Sequence, residues 1–103
     1  MKVAKSDMAR LAESAGEAAV MLRLMGNEKR LLILCTLVME GEASVGELAA
    51  EVDLGMSALS QHLAKLRDDG LIEARKEGLQ VFYRISDPKA AKILKVLKEI
   101  YCP

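Results

Sequence analysis

The sequence predicts a mainly α-helical fold with one β-hairpin, and three observations carry that expectation. The apolar residues are almost all Leu, Ile, Val, Ala and Met, with 51% of the chain hydrophobic and only 3% aromatic. Ala and the straight-chain residues have good helix propensity. Apolar positions recur at helical spacing from the N-terminus onward, and two β-prone runs late in the chain flank a short glycine-containing loop. At 103 residues the chain has the size of one compact domain. No repeat, low-complexity stretch or long linker divides residues 1–103.

The elements follow in order. Leu11, Ala15, Ala18, Leu22 and Met25 form a stripe, which predicts a first helix over roughly Asp7 to Leu24. Gly26-Asn27 breaks it, and Asn27 suits the N-cap of a second helix from Glu28 to about Glu40. Residues 31–39 are apolar nearly all round, as in a central, buried helix. Gly41 ends it. Ser44 followed three residues later by Glu47 is a capping box, opening a short helix from Val45 to Val52. Asp53-Leu54-Gly55 makes a tight turn into a fourth helix, Ser57 to Asp69, closed by Gly70. Residues 71–76 and 80–85 then form the hairpin around Glu77-Gly78-Leu79. Asp87 before Pro88 starts a last helix that runs to about Tyr101. A short helix, a tight turn, a longer helix and a two-stranded wing are the winged helix-turn-helix arrangement.

That arrangement points to DNA through its fourth helix. Leu59, Leu63 and Leu66 share the core-facing side. The opposite side carries Ser57, Gln61, Ala64 and Lys65, with Ser60 at its edge. Hydroxyls and an amide near a helix N-terminus suit base edges in a major groove, and Lys65 and Arg67 suit phosphates. The wing adds Arg75, Lys76 and Gln80, with Arg75 and Lys76 expected at phosphates or the minor groove. His62, the single histidine, lies at the margin of the leucine face, where packing and a local hydrogen bond are its ordinary fate.

Charge bears on the same question. The net charge is zero, which by itself argues against nucleic acid. Residues 1–55 carry 6 Lys/Arg against 9 Asp/Glu, and residues 56–103 carry 9 against 6, so the half holding the fourth helix and wing is basic. A winged-helix module that binds protein instead of DNA stays open on these grounds.

Other classes are disfavoured. No nucleophile–base pair, glycine-rich phosphate loop or metal set is present, so neither an enzyme nor a cofactor is expected. The longest apolar run, Leu31 to Met39, is too short to span a bilayer, and the N-terminus lacks a signal-peptide core, so the expectation is a cytoplasmic protein. Two cysteines 67 positions apart, Cys35 and Cys102, make no disulfide scaffold. The apolar stripes on the first and last helices exceed what so small a domain covers. Leu11, Ala15, Leu22, Leu94, Leu97, Ile100 and Tyr101 are therefore expected at the interface of a C2 homodimer, with its two reading helices on the order of 34 Å apart.

The chain resembles the ArsR/SmtB family of repressors. The carrying segments are residues 27–34, 44–48, 57–67, 70–72 and 83–85, of which Ser57-Ala58-Leu59-Ser60-Gln61-His62-Leu63-Ala64-Lys65-Leu66-Arg67 is the most specific. The resemblance implies a dimeric winged-helix repressor that leaves an inverted-repeat operator when an inducer binds. Family metal sites are missing: Ser44 and Gly46 stand where one site type has Cys-x-Cys, and the last helix has Asp87 but no histidine. Met56 stands where relatives often have a Gln before the serine that opens the reading helix. Ile33-Leu34-Cys35-Thr36-Leu37 and Ile100-Tyr101-Cys102 resemble the persulfide- and redox-responsive, BigR-, SqrR- and HlyU-like branch. That branch implies that persulfides, or other oxidants such as peroxide, link the two sulfurs and release DNA. By itself Cys35 reads as a small core residue and Cys102 as a frayed end. A direct disulfide needs Cα atoms within about 7 Å, and inserted sulfur atoms can span a longer gap.

Overall fold

The computed structural model describes residues 4–103 and shows five helices with a three-stranded antiparallel sheet. Helix α1 spans Lys5–Met25 and α2 spans Glu28–Glu40. A two-residue strand, β1 (Ala43–Ser44), precedes α3 (Val45–Val52) and α4 (Met56–Asp68). Strands β2 (Ile72–Glu77) and β3 (Gln80–Ile85) form the wing, and α5 (Pro88–Tyr101) follows. Most boundaries lie within two residues of those expected.

Local chemistry explains the boundaries. The Asn27 side chain accepts the Arg30 backbone N–H at 3.1 Å, and Asp87 accepts those of Lys89 (2.8 Å) and Ala90 (3.4 Å). The capping box is complete: Ser44 Oγ accepts from the Glu47 N–H, and the Glu47 carboxylate accepts from the Ser44 N–H, both at 3.2 Å. The expected three-residue wing loop is two residues long, since Glu77 pairs with Gln80. Gly78 opens it at φ 62°, a conformation costly for other residues.

Strand β1 is an addition to the expected hairpin. The sheet order is β1-β3-β2, with Ala43 opposite Tyr83 and Ser44 opposite Phe82. The wing is thus anchored through β3 to the chain that enters α3.

One core joins the elements. Ile33, Leu34 and Leu37 of α2 meet Leu48 and Val52 of α3, Leu59, Leu63 and Leu66 of α4, Ile72 of β2, and Ala90 and Leu94 of α5. Two expectations change here. Helix α2 is not buried all round: Leu32 and Met39 are 42% and 60% exposed, because the other helices cover only one side of it. Leu94, expected at a dimer interface, is 1% exposed and belongs to the core, where α5 packs against α2 and β3. Helix α1 buries only Met21, Leu24 and Met25, so its earlier turns lie open.

Candidate DNA interface and cysteine cleft

Helix α4, the expected reading helix, is oriented by its buried side. Leu59 and Leu66 are fully buried and Leu63 nearly so, which fixes the rotation of α4. Ser57, Ser60, Gln61, Lys65 and Arg67 are consequently all exposed, as is Met56. Lys65 forms an i,i+4 ion pair with Asp69 at 3.2 Å, and both remain solvent-accessible. His62 is half-buried at the edge of the leucine face. One support was not foreseen. Lys29 at the start of α2 donates from Nζ to the Val52 carbonyl at 3.1 Å. It caps the end of α3, where carbonyls lack helical partners, and ties the helix-turn-helix to α2.

The wing's charges divide by face. Alternation puts Glu73, Arg75 and Glu77 of β2 on one side, with Arg84, Phe82 and Gln80 opposite them on β3. Arg84 pairs with Glu73. Arg75, expected to contact DNA, binds Glu42 through two nitrogens and Glu77 through a third. Lys76 lies on the other face, exposed and with no carboxylate partner among the described residues, and Gln80 is exposed at the tip.

The two cysteines come together. Cys35 on α2 and Cys102 at the C-cap of α5 line one cleft of about 200 Å³. Leu31, Leu32, Met39, Leu97 and Tyr101 supply most of its walls, and Lys98 stands beside them. Both cysteines are free, Cys35 half-buried and Cys102 exposed. Burial, and secondarily the nearness of Cys102, push the Cys35 thiol above its ordinary range. The cleft is therefore lined by one exposed thiol and by one half-buried thiol that ionises less readily than a free cysteine.

A second cleft, of about 310 Å³, lies between α1 and α5, with Ala18, Met21, Leu22 and Ile93 in its walls and a Lys89–Glu17 ion pair of 3.0 Å on its rim. Along the same helices Leu11, Leu22, Ile100 and Tyr101 are 54%, 57%, 62% and 78% exposed. Ala15 is exposed too, and Leu97 is half-buried. No helix among the described residues is long and apolar enough to cross a membrane. No group of three or more His, Cys, Asp or Glu residues converges among them as a metal site.

Comparison with known proteins places this geometry. Residues 27–74 match the family model described as bacterial regulatory protein, arsR family. The transcriptional activator HlyU of Vibrio cholerae is 43% identical over 99% of this chain and 94% of its own length. The biofilm growth-associated repressor of Agrobacterium fabrum is 42% identical over 85% of this chain and 74% of its own. Among solved structures, reduced HlyU from Vibrio cholerae superposes with a TM-score of 0.86 at 45% identity, covering 91% of this chain and 98% of that one. The repressor BigR from Xylella fastidiosa superposes with a TM-score of 0.85 at 40% identity, covering 98% and 99%. The fold is that of the winged-helix regulators, and the chain belongs to the ArsR family of bacterial transcriptional regulators.

Proposed function

We propose that this chain is a homodimeric DNA-binding repressor that releases its operator when sulfur links Cys35 to Cys102. The observation that carries the switch is the shared cleft: thiols 67 positions apart in sequence line one apolar pocket between α2 and α5. In the chemistry we propose, the Cys102 thiolate attacks the sulfane sulfur of a persulfide R–S–SH. That sulfur becomes Cys102–S–SH, and R–SH leaves once protonated. The Cys35 thiolate then attacks the Cys102 sulfur and expels hydrosulfide, closing a disulfide. If a second sulfur has first been transferred, the same displacement leaves one sulfur in the bridge as a trisulfide. In either case the two thiols lose two electrons and one sulfane sulfur gains them. The exposure of Cys102 and the raised pKa of Cys35 support this order.

In this reading Ser57, Ser60 and Gln61 meet base edges, Lys65, Arg67 and Lys76 meet phosphates, and Gln80 meets the backbone beside the wing tip. The open faces of α1 and α5 bury against a second copy through Leu11, Ala15, Leu22, Leu97, Ile100 and Tyr101.

Intact mass of the protein after treatment with a persulfide or with peroxide tests the switch. A persulfide-specific sensor gains a bridge between Cys35 and Cys102, retaining sulfur where the gap demands it, and peroxide leaves it reduced. Equal bridging by peroxide, with loss of two hydrogens, would make it a general oxidant sensor. No bridge with either reagent would remove the switch.

A further inference from the structure

Besides the β1–β3 pairing, one side chain straps the wing to the body of the domain. From β2, the Arg75 Nε lies 3.2 Å from one carboxylate oxygen of Glu42 and its Nη2 lies 2.6 Å from the other. Its guanidinium carbon sits 4.8 Å from the centre of the Phe82 ring, and Phe82 is its cross-strand partner on β3. Glu42 immediately precedes β1, the opposite edge of the sheet. The side chain thus starts on one edge strand, crosses the central strand over an aromatic face, and ends on a carboxylate beside the other edge. A two-pronged guanidinium–carboxylate contact fixes orientation as well as distance, and the aromatic face beneath adds attraction.

Electrostatics agree with the geometry. The hydrogen bond from Arg75 holds the Glu42 carboxyl below the usual carboxylate range. Glu42, and then Glu77, push Arg75 still further toward its charged form. A guanidinium shared by two carboxylates has its charge largely balanced within the chain, and binding a phosphate would require giving them up. Lys76, on the opposite face, carries no such partner among the described residues.

We propose that Arg75 is a positioning residue: through Glu42 and Phe82 it fixes the angle of the wing to the helix-turn-helix, and so sets where Lys76 and the wing tip meet DNA, without itself binding phosphate. This assignment rests on the DNA-binding reading above, but its mechanical half does not.

The test uses the full chain and a duplex of about 30 base pairs, long enough for two half-sites one helical turn apart, selected from a random pool with the wild-type protein. Arg75→Ala and Glu42→Gln should each weaken binding by about three- to fivefold, the modest effect of an exposed ion pair. Both should leave the dependence of log affinity on log salt unchanged. Lys76→Ala should instead flatten that dependence by about one per contact removed. Exchanging the partners, Glu42→Arg with Arg75→Glu, should restore part of the affinity, since the new pair lacks the Phe82 and Glu77 contacts that Arg75 makes. An acidic residue at a phosphate contact would repel DNA, so this rescue separates the two roles. Backbone ¹⁵N order parameters at Gly78 and Leu79 in the free protein should fall in both single variants and recover in the exchanged pair. Tighter binding by Glu42→Gln, or a flatter salt dependence in Arg75→Ala, would make Arg75 a phosphate ligand and overturn the assignment. Unchanged order parameters in both single variants would overturn it whatever happens with DNA. A wild-type protein that selects no duplex refutes the DNA reading, and the order parameters still decide the strap.

Discussion

At the scale of single residues, exposure separates side chains that shape the domain from those that face outward. Leu94 and Ile100 both lie on the apolar stripe of α5, yet Leu94 is 1% exposed and Ile100 62%. Leu94→Ala should destabilise the fold by about 2–5 kcal/mol, as for other large-to-small core changes, measurable by urea unfolding. Ile100→Ala should leave monomer stability within about 0.5 kcal/mol, as for surface changes away from special features. On α4, Ser57→Ala or Gln61→Ala should each cost about 1–3 kcal/mol of specific binding and relax preference at one base pair. A Gln61→Ala protein that selected the same operator with unchanged affinity would show that this face does not read bases. Cys35 carries a pH prediction. Its raised pKa means that less thiolate is present at a given pH than for a free cysteine. Alkylation of Cys35 in a Cys102→Ser background should therefore rise with pH to a midpoint above that of a free cysteine. A midpoint at or below the free-cysteine value would contradict the burial argument.

Elements were legible from the sequence wherever local chemistry sets them, and illegible where a distant partner does. Asn27, Ser44 with Glu47, and Asp87 start helices by accepting nearby backbone N–H groups, so each cap could be read from a few adjacent letters. The rotation of α4 followed from three leucines at helical spacing. Strand β1 escaped because two residues are too few to show alternation, and its partner lies nearly 40 positions away on β3. The Arg75–Glu42 pair escaped likewise: it joins positions 33 apart and leaves no periodic trace. Leu94 was misplaced because a stripe reveals that a helix has an apolar side without telling how much of it the domain covers. The cysteine pairing came from resemblance, while the cleft they share needed the fold. The capping box allows a test at this scale. Ser44→Ala should cost about 0.5–2 kcal/mol of stability, and should also slow or weaken DNA docking because α3 seats the turn into α4. Full retention of stability would mean that β1 pairing, not the cap, holds the start of α3.

At the scale of the whole molecule, the proposed function depends on two copies whose α4 helices are held at one spacing. In the proposed dimer, α1 and α5 form the joint and α4 is carried on α2 and α3. The Cys35–Cys102 cleft lies where the central helix meets the end of a joint helix. In the proposed switch, a covalent bridge there would couple core to interface within each subunit, and a small tilt of α5 would be passed to both heads. A duplex accepts the two helices only near one helical repeat, so release requires only that the bridged form bind less well than the reduced form. Leu22→Glu places charge on an exposed α1 position and should yield monomers in sedimentation, with operator binding lost. The switch makes a sharper demand. Reduced protein should shift a selected duplex in a gel, persulfide-treated protein should bind at least about tenfold more weakly, a coupling of roughly 1.4 kcal/mol, and a thiol reductant should restore binding. Cys35→Ser and Cys102→Ser should both bind DNA and ignore the persulfide, because a bridge needs two ends. If either single variant still dissociates on treatment, modification of one thiol is sufficient, and coupling through a bridge is not how this regulator is released.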